Sequence, residues 1–105
     1  MPKGLGSLGD LSSMLKHAMS LKGKMEELRE SLGNERIESS AGGGMVKVVL
    51  NGKFEIESLE IEPELINPED PEVLQTMLMA AINEGVRKTQ DLVKQRMTEL
   101  TGGID

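Results

Sequence analysis

Residues 42–63 read Gly42-Gly43-Gly44-Met45-Val46-Lys47-Val48-Val49-Leu50-Asn51-Gly52-Lys53-Phe54-Glu55-Ile56-Glu57-Ser58-Leu59-Glu60-Ile61-Glu62-Pro63, and they decide the fold. Val46, Val48 and Leu50 alternate with Met45, Lys47 and Val49, the period-2 pattern of a strand, and the β-branched content agrees. Asn51-Gly52 supplies the two positive-φ positions of a type I′ hairpin turn. The return strand carries Phe54, Ile56, Leu59 and Ile61. Its alternation slips by one residue at Glu57-Ser58, the signature of a β-bulge or local twist. Pro63 ends it.

Long helical patterns flank this hairpin. Residues 1–6 read as a loose arm, after which Ser7-x-x-Asp10 is a capping-box variant with Asp10 suited to the positive helix start. Leu11, Met14, Ala18, Leu21, Met25, Leu28 and Leu32 then alternate spacings of three and four, a heptad seam, and Gly33-Asn34 is a C-terminal stop. A helix from about residue 8 to 32 would be ~37 Å long. Ile37, Ser39 and Ala41 alternate within residues 35–41, giving a short first strand, and the three glycines turn the chain into the second. Past Asn67-Pro68-Glu69-Asp70-Pro71, with Asp70 as N-cap and Pro71 at the first helical position, a second helix begins. Ile82, Val86, Val93, Met97 and Leu100 form its stripe, Thr89 fills the gap, and Gly85 lies beside it. Gly102-Gly103 ends it, and residues 101–105 are a short tail. The expectation is one α+β domain over residues 1–105: long helix, three-stranded antiparallel sheet, long helix.

Composition narrows the function. Zero Cys excludes a disulfide framework and a Cys-ligated metal and fits a reducing cytosol. Residues 1–20 hold no apolar run long enough for a signal sequence, and no segment approaches the ~20 apolar residues of a membrane span. Phe54 is the only aromatic residue against eight Met, so the core is aliphatic and Met-rich. The net charge of −6 argues against nucleic acid, but the charges are polarised. Eight of the 18 acidic residues fall between Glu55 and Glu72, where there is no Lys or Arg. Residues 11–25 carry Lys16, Lys22 and Lys24 and no acid. Solvated strands also carry Glu for its own sake, which is the plainer explanation.

No chemistry can be assembled. The triple glycine lacks the Lys-Ser/Thr and the following helix that a phosphate loop needs. His17 is the only histidine, beside Lys16 on a helix, without an orienting partner or co-ligands. No nucleophile–base pair is visible, so neither an enzyme nor a cofactor, a metal or a small-molecule substrate is expected. The Met residues of the helical stripes read as packing. Basic residues are the remaining constellation. Lys22 and Arg29 are seven apart on one flank of the first helix's seam, and Arg87 and Lys94 repeat that relation on the second, each pair ~10 Å apart along its axis. Glu26, Glu27 and Glu30 on the first helix, and Glu84, Asp91 and Glu99 on the second, are assigned to the outer faces. Lys22–Glu26, Glu84–Lys88 and Arg87–Asp91 are also i,i+4 pairs that stabilise a helix by themselves, and cationic stems beside a seam cover apolar surface.

The pattern Gly-x-Gly-(apolar)-Val-Lys-Val, then Asn-Gly, then Ile-Glu-Pro-Glu-Leu resembles the YbaB/EbfC family of bacterial nucleoid-associated proteins. Leu15-Lys16-His17-Ala18-Met19 to Lys24-Met25 is similar to the Met- and Lys-rich first helix of that family, Ala80-Ala81-Ile82-Asn83-Glu84 to the start of its last helix, and Thr101-Gly102-Gly103 to its carboxyl end. Many members continue into a Pro-rich tail, whereas this sequence stops at Asp105. The resemblance implies a tweezer-like homodimer with protruding helices, located at the cytoplasmic nucleoid, that binds duplex DNA by backbone contact and groove shape. The positions it points to are Lys16, Lys22, Lys24, Arg29, Arg87, Lys88, Lys94 and Arg96. If the start of the first helix lies beside the end of the second, Lys3, Lys16, Lys22 and Lys24 sit near Lys94 and Arg96, far from the acidic strand. The competing class is a coiled-coil module that binds only protein, which the net charge favours. Two long helices and three strands cannot cover both seams and both sheet faces within 105 residues, so an obligate dimer is expected. Replacing Leu28 with Asp should then dissociate or unfold the protein in sedimentation.

Overall fold

The structure, a computed structural model, describes the backbone of residues 3–102 and the side chains of residues 9–102. Helix α1 spans Lys3–Gly33, strands β1 (Ile37–Ala41), β2 (Val46–Leu50) and β3 (Ile56–Ile61) form an antiparallel sheet in that order, and a single 3₁₀ turn at Pro63–Leu65 leads to helix α2, Pro71–Leu100. The α+β architecture read from the sequence is present. The helix starts earlier than residue 8, however: residues 3–6, expected as a loose arm, are helical, and residues 1 and 2 lie outside the described ones. Ser7 and Asp10 therefore fall inside α1. Glycines at positions 4, 6 and 9 cost about 1 kcal/mol each but do not forbid a helix, and no proline interrupts residues 3–33.

The middle strand is the core. Val46, Val48 and Leu50 are fully buried, each contributing about 1.5–3 kcal/mol. They face α2 through Ala81, Gly85 and Thr89, a stripe of small residues four apart. A Cβ at Gly85 would strike the Leu50 side chain, so the glycine sets how closely helix and sheet approach. The Ser39 hydroxyl donates to the Ala81 carbonyl, and Thr89 Oγ1 to the Gly85 carbonyl at 2.8 Å, so both buried hydroxyls are satisfied. The large residues expected as the stripe, Ile82, Val86, Val93, Met97 and Leu100, flank it half-buried. Hydrophobic periodicity tracks large side chains; contact with a flat sheet selects small ones. Asp70 stands at the N-cap position of α2 and Pro71 opens the helix, but the Asp70 side chain makes no capping bond.

The β2–β3 connection departs from the type I′ turn. Asn51 is almost fully buried. Its Oδ1 accepts from the backbone N–H of Lys53 (2.8 Å) and Glu55 (3.3 Å), and its Nδ2 donates to the carboxylates of Glu55 (2.8 Å) and Glu57 (3.1 Å). Gly52 does not take a positive φ; Phe54 does, at 64°. The glycine is required by close approach instead. Its N–H donates to the Leu32 carbonyl at 2.7 Å, and a Cβ there would lie 2.5 Å from that oxygen. Phe54, expected within the return strand, belongs to this loop and accepts a left-handed backbone that costs roughly 1–2 kcal/mol. The bulge is where the alternation slips. Val49 pairs with Ser58 and Leu50 with Ile56, leaving Glu57 as the extra residue. Ile56, Leu59 and Ile61 thereby face the same side as the buried Leu50, Val48 and Val46.

Helix α2 lies over β1 and β2 and leaves most of β3 uncovered. Ile56 and Leu59 are 48% and 44% exposed on the face whose other half is core. The molecule measures 80 × 22 × 20 Å because most of α1 projects beyond the sheet. Removing the amide in Asn51→Ala leaves the loop's N–H groups without their acceptor and should lower stability by about 2–3 kcal/mol, read as a shift of the urea midpoint at constant slope.

Candidate nucleic-acid interface

The basic residues singled out in the sequence separate into two groups once α1 and the sheet are in place. Lys16, Lys22, Lys24 and Arg29 stand exposed on α1, and Lys94 is exposed on α2; none of the five makes an ion pair among the described residues. The other three are engaged. Arg96 is about one-third exposed and donates to the Glu35 carboxylate at 2.6 Å, with Glu99 at 3.9 Å. Lys88 Nζ donates to the backbone carbonyl of Glu38 at 3.0 Å. Arg87 pairs with Glu84, one turn earlier. Arg96 and Lys88 tie α2 to the segment around β1, 61 and 50 residues away in sequence. No local spacing signals such pairs.

The i,i+4 pairs expected from the sequence, Lys22–Glu26, Glu84–Lys88 and Arg87–Asp91, are absent among the described residues; Glu84–Arg87 at i,i+3 is the one helical pair on this stretch of α2. Glu26, assigned to the outer face of α1, lines the same open hollow as Lys22 and Arg29, because positions four and seven apart share a helix face. Met25, Leu28, Leu32 and Met97 complete that hollow. The end of α2 therefore meets α1 over residues 22–32, not at its start, so Lys22 lies near the α2 terminus and Lys16 about 9 Å farther out along α1. The Lys3 side chain lies outside the described residues.

From residue 9 to residue 31, only Gly23 and Leu28 of α1 are less than exposed. Leu11, Met14, Leu15, Met19, Leu21 and Met25 are 39–67% exposed, beside the cationic residues. The acidic residues Glu55–Glu72 run from the loop before β3 through β3 to the first turn of α2, at the sheet end of the molecule. Charge is thus segregated along the long axis: an acid-free helical arm over residues 11–25 and an acidic base. Gly42, Gly43 and Gly44 take positive φ and lead directly into β2, a geometry that offers no helix N-terminus to a phosphate. Among the described residues no three His, Asp or Glu side chains converge as metal ligands, and no helix is long and apolar enough to cross a membrane.

This fold and arm define a small αβββα protein, and comparison with known proteins gives its class. The model of the YbaB/EbfC DNA-binding family matches residues 8–104, and the chain belongs to that family. A nucleoid-associated protein of Pelotomaculum thermopropionicum is 50% identical over 96 residues, 91% of each chain. One from Desulforamulus reducens is 42% identical over 97 residues, 92% of each. An uncharacterized protein of Helicobacter pylori, solved by crystallography, superposes with a TM-score of 0.80 at 30% identity, covering 86% of this chain and 95% of that one.

The two groups of cations should separate experimentally. Arg96→Ala should cost about 1 kcal/mol of stability, since it leaves Glu35 without its partner, while Lys16→Ala and Lys94→Ala stay within about 0.5 kcal/mol. Thermal unfolding of the three variants in parallel checks this.

Proposed function

We propose that this chain is a nucleoid-associated protein that binds duplex DNA as a homodimer, through cationic side chains on the projecting helices. The observation that carries the reading is the acid-free arm. Lys16, Lys22 and Lys24 are exposed there and, among the described residues, unpaired, on a helix that projects from an otherwise acidic protein. Arg29 and Lys94 extend the set toward the junction with α2. Arg87, Lys88 and Arg96 are occupied within the protomer, so we assign them to the scaffold rather than to phosphate.

Such a surface neutralises backbone charge and responds to groove shape without reading base edges. Among the described residues no helix-turn-helix offers a recognition helix to the major groove, and the single aromatic residue of the sequence offers no stacking platform for single strands. The dimer half of the reading rests on apolar surface that one copy leaves open: the α1 seam from Leu11 to Met25 and the uncovered β3 face at Ile56 and Leu59. A second copy covering both would convert two thin protomers into one core with paired arms. DNA binding places the protein at the nucleoid, and no catalytic activity is expected of it. The same seam supports a second reading, a coiled-coil adaptor that binds only protein, which the net charge of −6 favours.

Reversing Lys16 and Lys24 to Glu together should weaken duplex binding at least tenfold while leaving helicity and sedimentation unchanged. Mobility shifts across a salt series should give a slope of log K on log salt of roughly −4 to −7 if four to eight side chains of the dimer neutralise phosphates. Salt-insensitive binding, or wild-type affinity in the double reversal, would refute the arm mechanism and leave the adaptor reading.

A further inference from the structure

Phe54 is the only aromatic residue, it holds a left-handed backbone at φ 64°, and it is 46% exposed. Strain of this kind persists only where the surroundings over-determine it, and here they do: the buried Asn51 amide and the Gly52 clamp on Leu32 fix the loop on both sides. A loop this rigid holds Phe54 in one backbone conformation with its ring half-exposed. Glycine or asparagine would hold the same backbone more easily, and the protomer's own core leaves about half of the ring open.

Leu32 connects this loop to the hollow between the helices. Its carbonyl accepts from Gly52, and the residue lines the hollow with Met25, Leu28 and Met97. A half-exposed aromatic residue and a Met-rich apolar hollow are thus both linked to Leu32. A two-fold pairing that seats each copy's ring in the other's hollow would close both at once. Aromatic ring edges contact thioether sulfur favourably, and aromatic anchors in apolar pockets carry much of the binding energy of interfaces. Charged groups of both signs flank both halves of the contact: Phe54 stands between Lys53 and Glu55, and the hollow is rimmed by Lys22, Arg29 and Glu26.

We propose that Phe54 of one copy is the anchor that fills the hollow of Met25, Leu28, Leu32 and Met97 in a second copy of this chain. The inference rests on the homodimer reading above and names the contact that fixes its geometry. Lys22 and Arg29 then border the interface, exposed beside Lys16, Lys24 and Lys94, so the cationic set proposed for the duplex is kept.

The chain has no Cys, which permits a direct test. Phe54→Cys and Met25→Cys, prepared separately and mixed in equal amounts under oxidised glutathione, should give mainly the covalent heterodimer. In parallel, Phe54→Gly should raise the dimer dissociation constant at least tenfold by sedimentation, while the helical circular dichroism of the variant stays that of the wild type. No cross-link, cross-linking only between identical variants, or an unchanged dissociation constant in a wild type that does dimerise overturns the anchor alone. A wild type that sediments as a monomer throughout the micromolar range overturns the dimer reading and the anchor with it.

Discussion

The direction of the long arm depends on one backbone contact, the 2.7 Å hydrogen bond from the Gly52 N–H to the carbonyl of Leu32. It joins the end of α1 to the tip of the β2–β3 connection, and it forms only because residue 52 has no side chain to collide with the helix end. Asn51 holds the other side of the tip by satisfying two backbone N–H groups and two carboxylates at once. With the tip rigid and the helix end fastened to it, the first two-thirds of α1 must project away from the sheet. Everything proposed for the arm follows from that projection: its exposure, its unpaired lysines and its distance from the acidic strand.

The rest of the protomer is built around economy of covering. One helix packs on a three-stranded sheet and, through Ala81, Gly85 and Thr89, approaches β1 and β2 closely. Close approach over two strands leaves the third open, so Ile56 and Leu59 stay exposed on a face whose other half is core. The seam of α1 is open for the same reason, since only its last three turns meet α2. A chain arranged this way has spent its apolar residues on surfaces that a second copy can close. Charge follows the same division of labour: carboxylates on β3 and the following loop, lysines on the projecting helix, and Lys88 and Arg96 where they tie α2 to the segment around β1.

How legible this was in the sequence depends on the range of the interaction. Strand alternation, the bulge at Glu57 and the proline opening of α2 are local, and the residues state them directly. Asn51-Gly52 marked a turn correctly but for another reason: the asparagine caps the loop and the glycine admits Leu32, while the positive φ falls on Phe54. Tertiary contact, invisible to a local pattern, moved that strain. The buried line of α2 was missed because periodicity gives weight to Ile82, Val86 and Val93, whereas the sheet selects the small residues between them. Of the eight cationic positions, Arg96 and Lys88 bind partners 61 and 50 residues distant, and Arg87 pairs with Glu84, a neighbour three residues away that the i,i+4 reading passed over. Exposure and partnering, which separate a phosphate contact from a scaffold contact, are properties of the fold.

Mapping backbone amide shifts while a duplex is titrated into isotope-labelled protein tests the central claim most directly. Arm binding predicts perturbation concentrated at residues 11–25 and around Lys94, fading as salt is raised, with Glu55–Glu72 unmoved. Shifts centred on the β3 face or on the loop after it, with residues 11–25 unchanged, would contradict it.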